Sequence, residues 1–232
     1  PVGCYFCSSG QVQFSRNLSR GEILEQILQI ENDTGKDVTG ILLMGMGEPL
    51  LNYDNVVSAL RAMTDEEELF IGRRHIIVST VGYIPKIQKL SGEGIGIRLA
   101  LSLHAPDDET RWRFIPRKKV PYPVREILKA GLDYSRQNSV RLTIEYIMIS
   151  GMNDTLQAAQ KLVKLIREFS SRRDEIQINL IPYNIAAGKE WPFPAMDTVQ
   201  QFRDYLAQYD ILATVRQARG ADIGAACGQL GY

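Results

Sequence analysis

The sequence predicts an α/β protein built on a mainly parallel sheet, either an open doubly wound sheet or a complete or partial barrel. Three observations predict this class. Runs rich in valine, isoleucine and leucine alternate with amphipathic stretches of helical period along the chain, as expected of strands buried on both faces and the helices that cover them. Glycine and polar residues collect directly after several of those runs, where parallel sheets and barrels build their ligand sites. At 232 residues and 44% hydrophobic the chain can bury one sizeable core, and no linker-like composition divides it.

The elements follow in order. Ser19 is placed to cap a helix running to about residue 31, and Glu22, three residues on, completes a capping box. The first strand is VTGILLMG (38 to 45), followed by MGMGEP and a helix over roughly 52 to 64. HIIVST (75 to 80) is the second strand, with STVG at its end and a helix over 83 to 90. IRLALSL (97 to 103) is the third; it runs into SLHAP and then a helix over 122 to 137. RLTIEYIMI (141 to 149) and a helix over 154 to 169 come next, then IQINLIP (176 to 182), ending in PYN. A helix over 197 to 208 and the strand ILATVR (211 to 216) complete the series. No repeat of 20 to 50 residues and no low-complexity tract interrupts it.

Composition removes several function classes. Lysine plus arginine and aspartate plus glutamate both count 27, so no overall positive field advertises nucleic acid or an anionic membrane. There is no apolar run of about 18 residues and no basic-then-apolar leader pattern, so a soluble, cytoplasmic chain without a membrane partner is expected. Three cysteines are too few for a disulfide framework in a chain of this size and point to reduced thiols. His-Glu-x-x-His, Gly-x-Ser-x-Gly and the phosphate-binding Gly-x-x-x-x-Gly-Lys are all absent, which leaves metalloprotease, hydrolase and P-loop readings without support.

Four places carry residues that chemistry would use. Cys4 and Cys7, with Phe6 between them, have the spacing of a zinc half-site, a thioredoxin-type redox pair or two iron–sulfur ligands. Gly45 and Gly47 expose backbone donors and acceptors beside Glu48, whose carboxylate can accept from an ammonium group. His104 ends an apolar strand, with Ser102 on the same side by strand alternation. Cys227 lies among Gly224, Ala225, Ala226 and Gly228, where a large ligand can approach the sulfur, and Arg216 and Arg219 are near enough in sequence to lower its thiol pKa. A further basic run, Arg111, Arg113, Arg117, Lys118 and Lys119 with Trp112 and Phe114, has the composition of a phosphate-contacting, base-stacking patch and equally of a solvated face.

GCYFC, MGMGEPLLN, IIVSTVG, LALSLHAPDDETR, TIEYIMISGMND, INLIPYN and RGADIGAACGQL stand in an order and spacing that resemble the radical S-adenosylmethionine (SAM) methyltransferases that modify adenine in RNA. The resemblance runs the whole length of the chain and is nearest to the adenine carbon-2 methyltransferases of 23S ribosomal RNA and transfer RNA. A branch that methylates carbon-8 and confers antibiotic resistance is the alternative, and a relative that binds SAM or RNA without a working cluster is a second.

The resemblance implies a partial (β/α)6 TIM-like barrel of the radical SAM type, with residues 1–232 forming the catalytic barrel. It implies a Cys-x-x-x-Cys-x-aromatic-Cys loop in which Cys4 and Cys7 are the second and third ligands of a [4Fe–4S] cluster. The first ligand then falls one place before Pro1, together with the first strand, a small N-terminal domain and an upstream cysteine that resolves the intermediate. A chain starting at Pro1 is therefore expected to be inactive alone. Gly47 and Glu48 would bind the amino end of SAM, Ser79, Ser102, Leu103 and His104 its ribose and neighbouring atoms, and Asn184 its adenine side. Cys227 would be the catalytic cysteine that carries the methyl group. RNA, an electron donor such as flavodoxin or ferredoxin, and a monomeric state are the implied partners and assembly. Ala221 and Gly224 stand where that family usually has acidic residues, and Tyr183-Asn184-Ile185 where it often has Trp-Asn-Pro, departures that bear on RNA contacts and substrate choice.

Overall fold

In the computed structural model the described residues are 2–184, 191–217 and 229. Among the described residues six strands form one sheet in the order β1-β2-β3-β4-β5-β6, and every neighbouring pair is parallel. They are Ile41–Leu43, Ile76–Thr80, Arg98–Ser102, Leu142–Met148, Ile176–Pro182 and Leu212–Val215, each inside the segment that the sequence predicts. Sequential order decides between the two architectures left open above. A doubly wound sheet reverses direction partway, whereas six strands laid down in chain order, with crossovers of one hand, place all helices on one face and curl toward a barrel. The sheet is a partial barrel of parallel strands. A strand preceding the cysteine loop would be an addition to these six.

The helices are α1 (Arg20–Thr34), α2 (Tyr53–Thr64), α3 (Ile84–Gly92), α4 (Asp108–Trp112), α5 (Val124–Gln137), α6 (Leu156–Phe169) and α7 (Met196–Gln208). They pack side by side, α1 on α2, α3 on α5, α5 on α6 and α6 on α7, as one layer. Ser19 and Glu22 form the expected capping box of α1, and Gly35 ends it in the left-handed conformation. The one helix that the sequence reading omits, α4, is a short turn capped by Asp107, whose side chain accepts from Thr110 N–H.

The core lies between sheet and helices. All seven residues of β4 are buried, the pattern of a central strand covered on both faces. Gly131 on α5 lets that helix approach β3, because a Cβ there would come within 2.5 Å of Leu101. β1 is the exception: it is three residues long and Leu42 is 41% exposed, since it pairs with one neighbour only among the described residues. No helix among the described residues is long and apolar enough to cross a membrane.

Candidate functional site

The C-terminal ends of the strands surround an open cavity, the place where parallel barrels build their ligand sites. Cys4, Cys7, Gly47, Glu48, Ser79, Ser102 and His104 line it together. These seven come from four separate stretches of sequence, so the fold assembles a site that no single segment specifies.

The cysteine loop is held by its own backbone. Cys7 N–H donates to the Cys4 carbonyl at 3.2 Å and Gly10 N–H to the Cys7 carbonyl at 3.1 Å, while Tyr5 N–H reaches the Phe114 carbonyl at 2.8 Å. Gly10 is required sterically, because a Cβ there would sit 2.7 Å from the Cys4 carbonyl oxygen. Phe6 turns into the core and meets the His104 ring edge-on at 4.9 Å. Burial, with the Cys7 thiol adding to it, pushes the Cys4 thiol up to about 12 against the opposing charge of the buried Arg111. A thiol so desolvated ionises only when a cation or metal is bound beside it.

Glu48 joins two loops. One carboxylate oxygen accepts from Leu50 N–H at 3.1 Å, capping the 3-10 turn Pro49–Asn52, and the other accepts from Val81 N–H at 2.9 Å. Burial raises its carboxyl to about 7 against these bonds. Gly47 before it adopts φ +98°, a conformation that side chains rarely tolerate.

His104 also has positive φ, 61°. Asn153 holds it there. The fully buried Asn153 amide donates to the carbonyls of His104 (2.9 Å) and Ile147 (2.6 Å), and its oxygen accepts from Ile149 N–H at 2.8 Å. Ile147 N–H donates to His104 Nδ1 at 3.1 Å, so the ring proton belongs on Nε2. Burial lowers the imidazole pKa to about 3, with Arg111 adding to the effect, and the ring stays neutral.

Arg111 stitches the strand ends together. Its Nη1 donates to the carbonyls of Ser102 (2.7 Å) and Leu103 (2.5 Å), and its Nη2 to that of Val81. It is 0% exposed, so the reading of residues 111 to 119 as one basic surface does not hold for it. Arg117 lies over the Trp112 ring at 4.2 Å, Phe114 is buried, and Arg113, Lys118 and Lys119 remain exposed. The alternation of charge with aromatics here serves packing at its first and fourth positions.

Two of the expected residues do not line the cavity. Leu103 belongs to the core, and its N–H is shared between the carbonyls of Leu101 and Glu145. Asn184 follows β5, half-buried. Cys227 lies outside the described residues. The sequence marks Arg111 only as part of a basic run and does not single out Glu145 or Asn153; the available signal was a charged or amide residue within or just beyond an otherwise apolar strand.

Cys4 and Cys7 are a soft, half-buried donor pair facing a cavity lined with hydroxyls and a carboxylate, which fits two ligands of an iron–sulfur cluster with a small polar molecule beside it. Among the described residues no group of three or more His, Cys, Asp or Glu could by itself hold a metal ion, so a closed zinc site is not formed by them.

Comparison with known proteins bears on the family and the fold. The model for the radical SAM superfamily matches residues 1–179. A curated relative from Endomicrobium trichonymphae, named a probable dual-specificity RNA methyltransferase RlmN, is 45% identical over 100% of this chain and 66% of its own length. One of the same name from Thermus thermophilus is 42% identical over 99% of this chain and 64% of its own. The chain thus spans slightly less than two thirds of these relatives. The crystal structure of a radical SAM methyltransferase from Sphaerobacter thermophilus superposes with a TM-score of 0.90 at 37% identity, over 98% of this chain and 66% of that one. Streptococcus suis SuiB, solved with SAM bound, is similar in fold at a TM-score of 0.62 and 16% identity, over 94% of this chain and 45% of its own.

Proposed function

The chain belongs to the radical SAM superfamily, and from that premise we propose that it is the catalytic barrel of an RNA adenine methyltransferase acting at carbon-2 in 23S ribosomal RNA and transfer RNA. One observation carries the reading: Cys4, Cys7, Gly47, Glu48, Ser79, Ser102 and His104 converge on one cavity, in a chain 45% identical along its whole length to a relative named an RNA methyltransferase.

In this reading Cys4 and Cys7 supply two thiolates to a [4Fe–4S] cluster, and a third comes from outside the described residues. When bound, the cluster and SAM supply one-electron chemistry able to act at a carbon that ordinary methyl transfer does not reach. The chain's own residues position and shield. Gly47 bares backbone groups to the amino end of SAM, and Glu48 fixes that loop against Val81. The Ser79 and Ser102 hydroxyls, 3.3 Å apart, face its ribose. The neutral His104 ring offers Nε2–H as a fixed donor that gives up no proton at working pH. Leu103, in the core, would support the strand end from behind, Asn184 would act from beyond the end of β5, and Cys227 would carry the methyl group to the base. The target adenine must leave its stack to reach such a site. Flavodoxin or ferredoxin would supply the electron, in a monomeric enzyme of the cytoplasm.

The test is anaerobic reconstitution, with iron and sulfide, of the protein expressed from its complete reading frame. A brown species that cleaves SAM under reduction and methylates adenine in ribosomal RNA is expected. Failure both to form the cluster and to cleave SAM overturns the reading.

A further inference from the structure

Glu145 stands in the middle of β4, 2% exposed, and lines the cavity beside Ser102, Ile147 and Ile181. Strand register puts it directly between Ser102 on β3 and Asn179 on β5. Its Oε1 accepts from Asn179 Nδ2 at 2.9 Å, and Thr214 Oγ1 donates to Asn179 Oδ1 at 2.8 Å. Thr214 fixes the sense of the amide, so the carboxylate is aimed by a relay across three strands. Its other oxygen, Oε2, is buried without a hydrogen-bond partner among the described residues. The nearest cation among the described residues, Arg216 Nη1, is 3.8 Å away and donates to Met44 Sδ at 3.0 Å instead.

A buried carboxylate oxygen without a donor is costly, and an aimed one more so. The cost is relieved if a ligand brings the donor. Ser102, in register with Glu145, and Ser79, whose hydroxyl is 3.3 Å from that of Ser102, line the same cavity; each hydroxyl can donate or accept, and an acceptor-only carboxylate sharing a cavity with two such groups is a set that recognises a vicinal diol. We propose that Glu145 Oε2 accepts a hydrogen bond from a ribose hydroxyl of the nucleoside bound in the cavity. It would act as a binding residue together with Ser79 and Ser102. This rests on the SAM-binding reading above and adds to it a residue that the sequence did not single out.

The test uses the cluster-loaded protein from its complete reading frame and 5′-methylthioadenosine, a nucleoside without the amino-acid end, with binding measured by equilibrium dialysis. Glu145→Gln keeps the shape and the Asn179 contact but offers a donor in place of Oε2. Loss of a charge-assisted bond should weaken binding by roughly 10- to 100-fold. Either the 2′- or the 3′-deoxy analogue should bind the wild type correspondingly less well and lose nothing further in the variant. Should both deoxy analogues bind the wild type as tightly as the parent, the inference fails whatever the variant's folding does. It fails equally if the variant loses the same factor for all three ligands. If neither SAM nor the nucleoside binds the wild type, the SAM reading itself falls, and this inference with it.

Discussion

The Nδ1 atom of His104 accepts the backbone N–H of Ile147 across the β3–β4 seam at 3.1 Å, so a ring in a left-handed residue is fixed both in orientation and in tautomer. The first prediction follows from this. Nitrogen NMR of labelled imidazoles should find His104 neutral and protonated on Nε2 at pH 5, because burial has lowered its pKa to about 3. A positively charged ring at that pH would contradict the assignment.

Two buried groups of the site give stability opposite pH dependences. Unfolded, the imidazole takes a proton below about 6.5; folded, it does not until about 3. Its contribution is therefore complete above 6.5 and is lost as pH falls toward 3. Glu48 is raised from its ordinary 4.5 to about 7, so its contribution is complete below 4.5 and is lost as pH rises through 7. Between about 4.5 and 6.5 the two slopes oppose each other, so Glu48→Gln should remove the loss as pH rises from 6.5 through 7 and should uncover the imidazole's loss from pH 6.5 downward. Thermal melts of both proteins across pH 3 to 8 check the sign of each limb.

Asn153→Ala should cost about 3 kcal/mol or more, since the carbonyls of His104 and Ile147 and the N–H of Ile149 all lose a buried partner and each orphan costs about 1–3 kcal/mol. Asn153→Asp should be no better, because it removes the donor and faces two carbonyls with an acceptor. Urea titration compares the three. Parity of the aspartate variant with wild type would show that the amide donor is not what holds His104.

How far the sequence could be read depended on whether a signal was local. The six strands and six of the helices were legible because burial imposes a period on their own residues, as in β4, and because caps such as Ser19 with Glu22 are written within four positions. The Cys4–Cys7 pair, Gly47 and Glu48 were visible as motifs. The role of Arg111 was not: the other basic residues of its run are exposed, and only the three carbonyls brought to it from the ends of β2 and β3 explain its burial. Glu145 escaped for a similar reason, since what distinguishes it is an empty acceptor position defined by Asn179 and Thr214, 34 and 69 residues on. The partly exposed β1 reads as a buried strand in sequence, and its exposure reflects how few partners it has rather than its composition.

Gly10→Ala should weaken metal retention more than it weakens the fold. The added methyl would lie 2.7 Å from the Cys4 carbonyl oxygen and 3.1 Å from its nitrogen, so the loop backbone must move and Cys4 with it. Gly45→Ala meets nothing within 4 Å and serves as the control. Iron per chain after reconstitution and desalting should fall for the first variant and hold for the second, with melting temperatures of the metal-free proteins changed by the equivalent of about 1–3 kcal/mol at most. Equal iron in both would mean that the cysteine loop tolerates displacement at Cys4.

Arg111 should be the most sensitive residue for stability outside the apolar core. A planar guanidinium spans the carbonyls of Val81, Ser102 and Leu103 at once; a lysine ammonium is a compact point charge that cannot reproduce that fork. Arg111→Lys keeps a buried charge but gives up part of its compensation. Arg111→Met removes the charge and leaves all three carbonyls unpaired. Both should lower the unfolding free energy by about 3 kcal/mol or more, read as a fall in the urea midpoint at an unchanged slope. The lysine variant carries a second consequence, because Arg111 also opposes the upward shift of the Cys4 thiol. If its ammonium stays in the pocket, Cys4 should react with a thiol probe at a rate close to wild type. In the methionine variant the thiol should rise further and react more slowly at the same pH, once the folded fraction is accounted for. Equal rates in the two variants would mean that the guanidinium acts on the loops by hydrogen bonding alone and not on the sulfur by its charge.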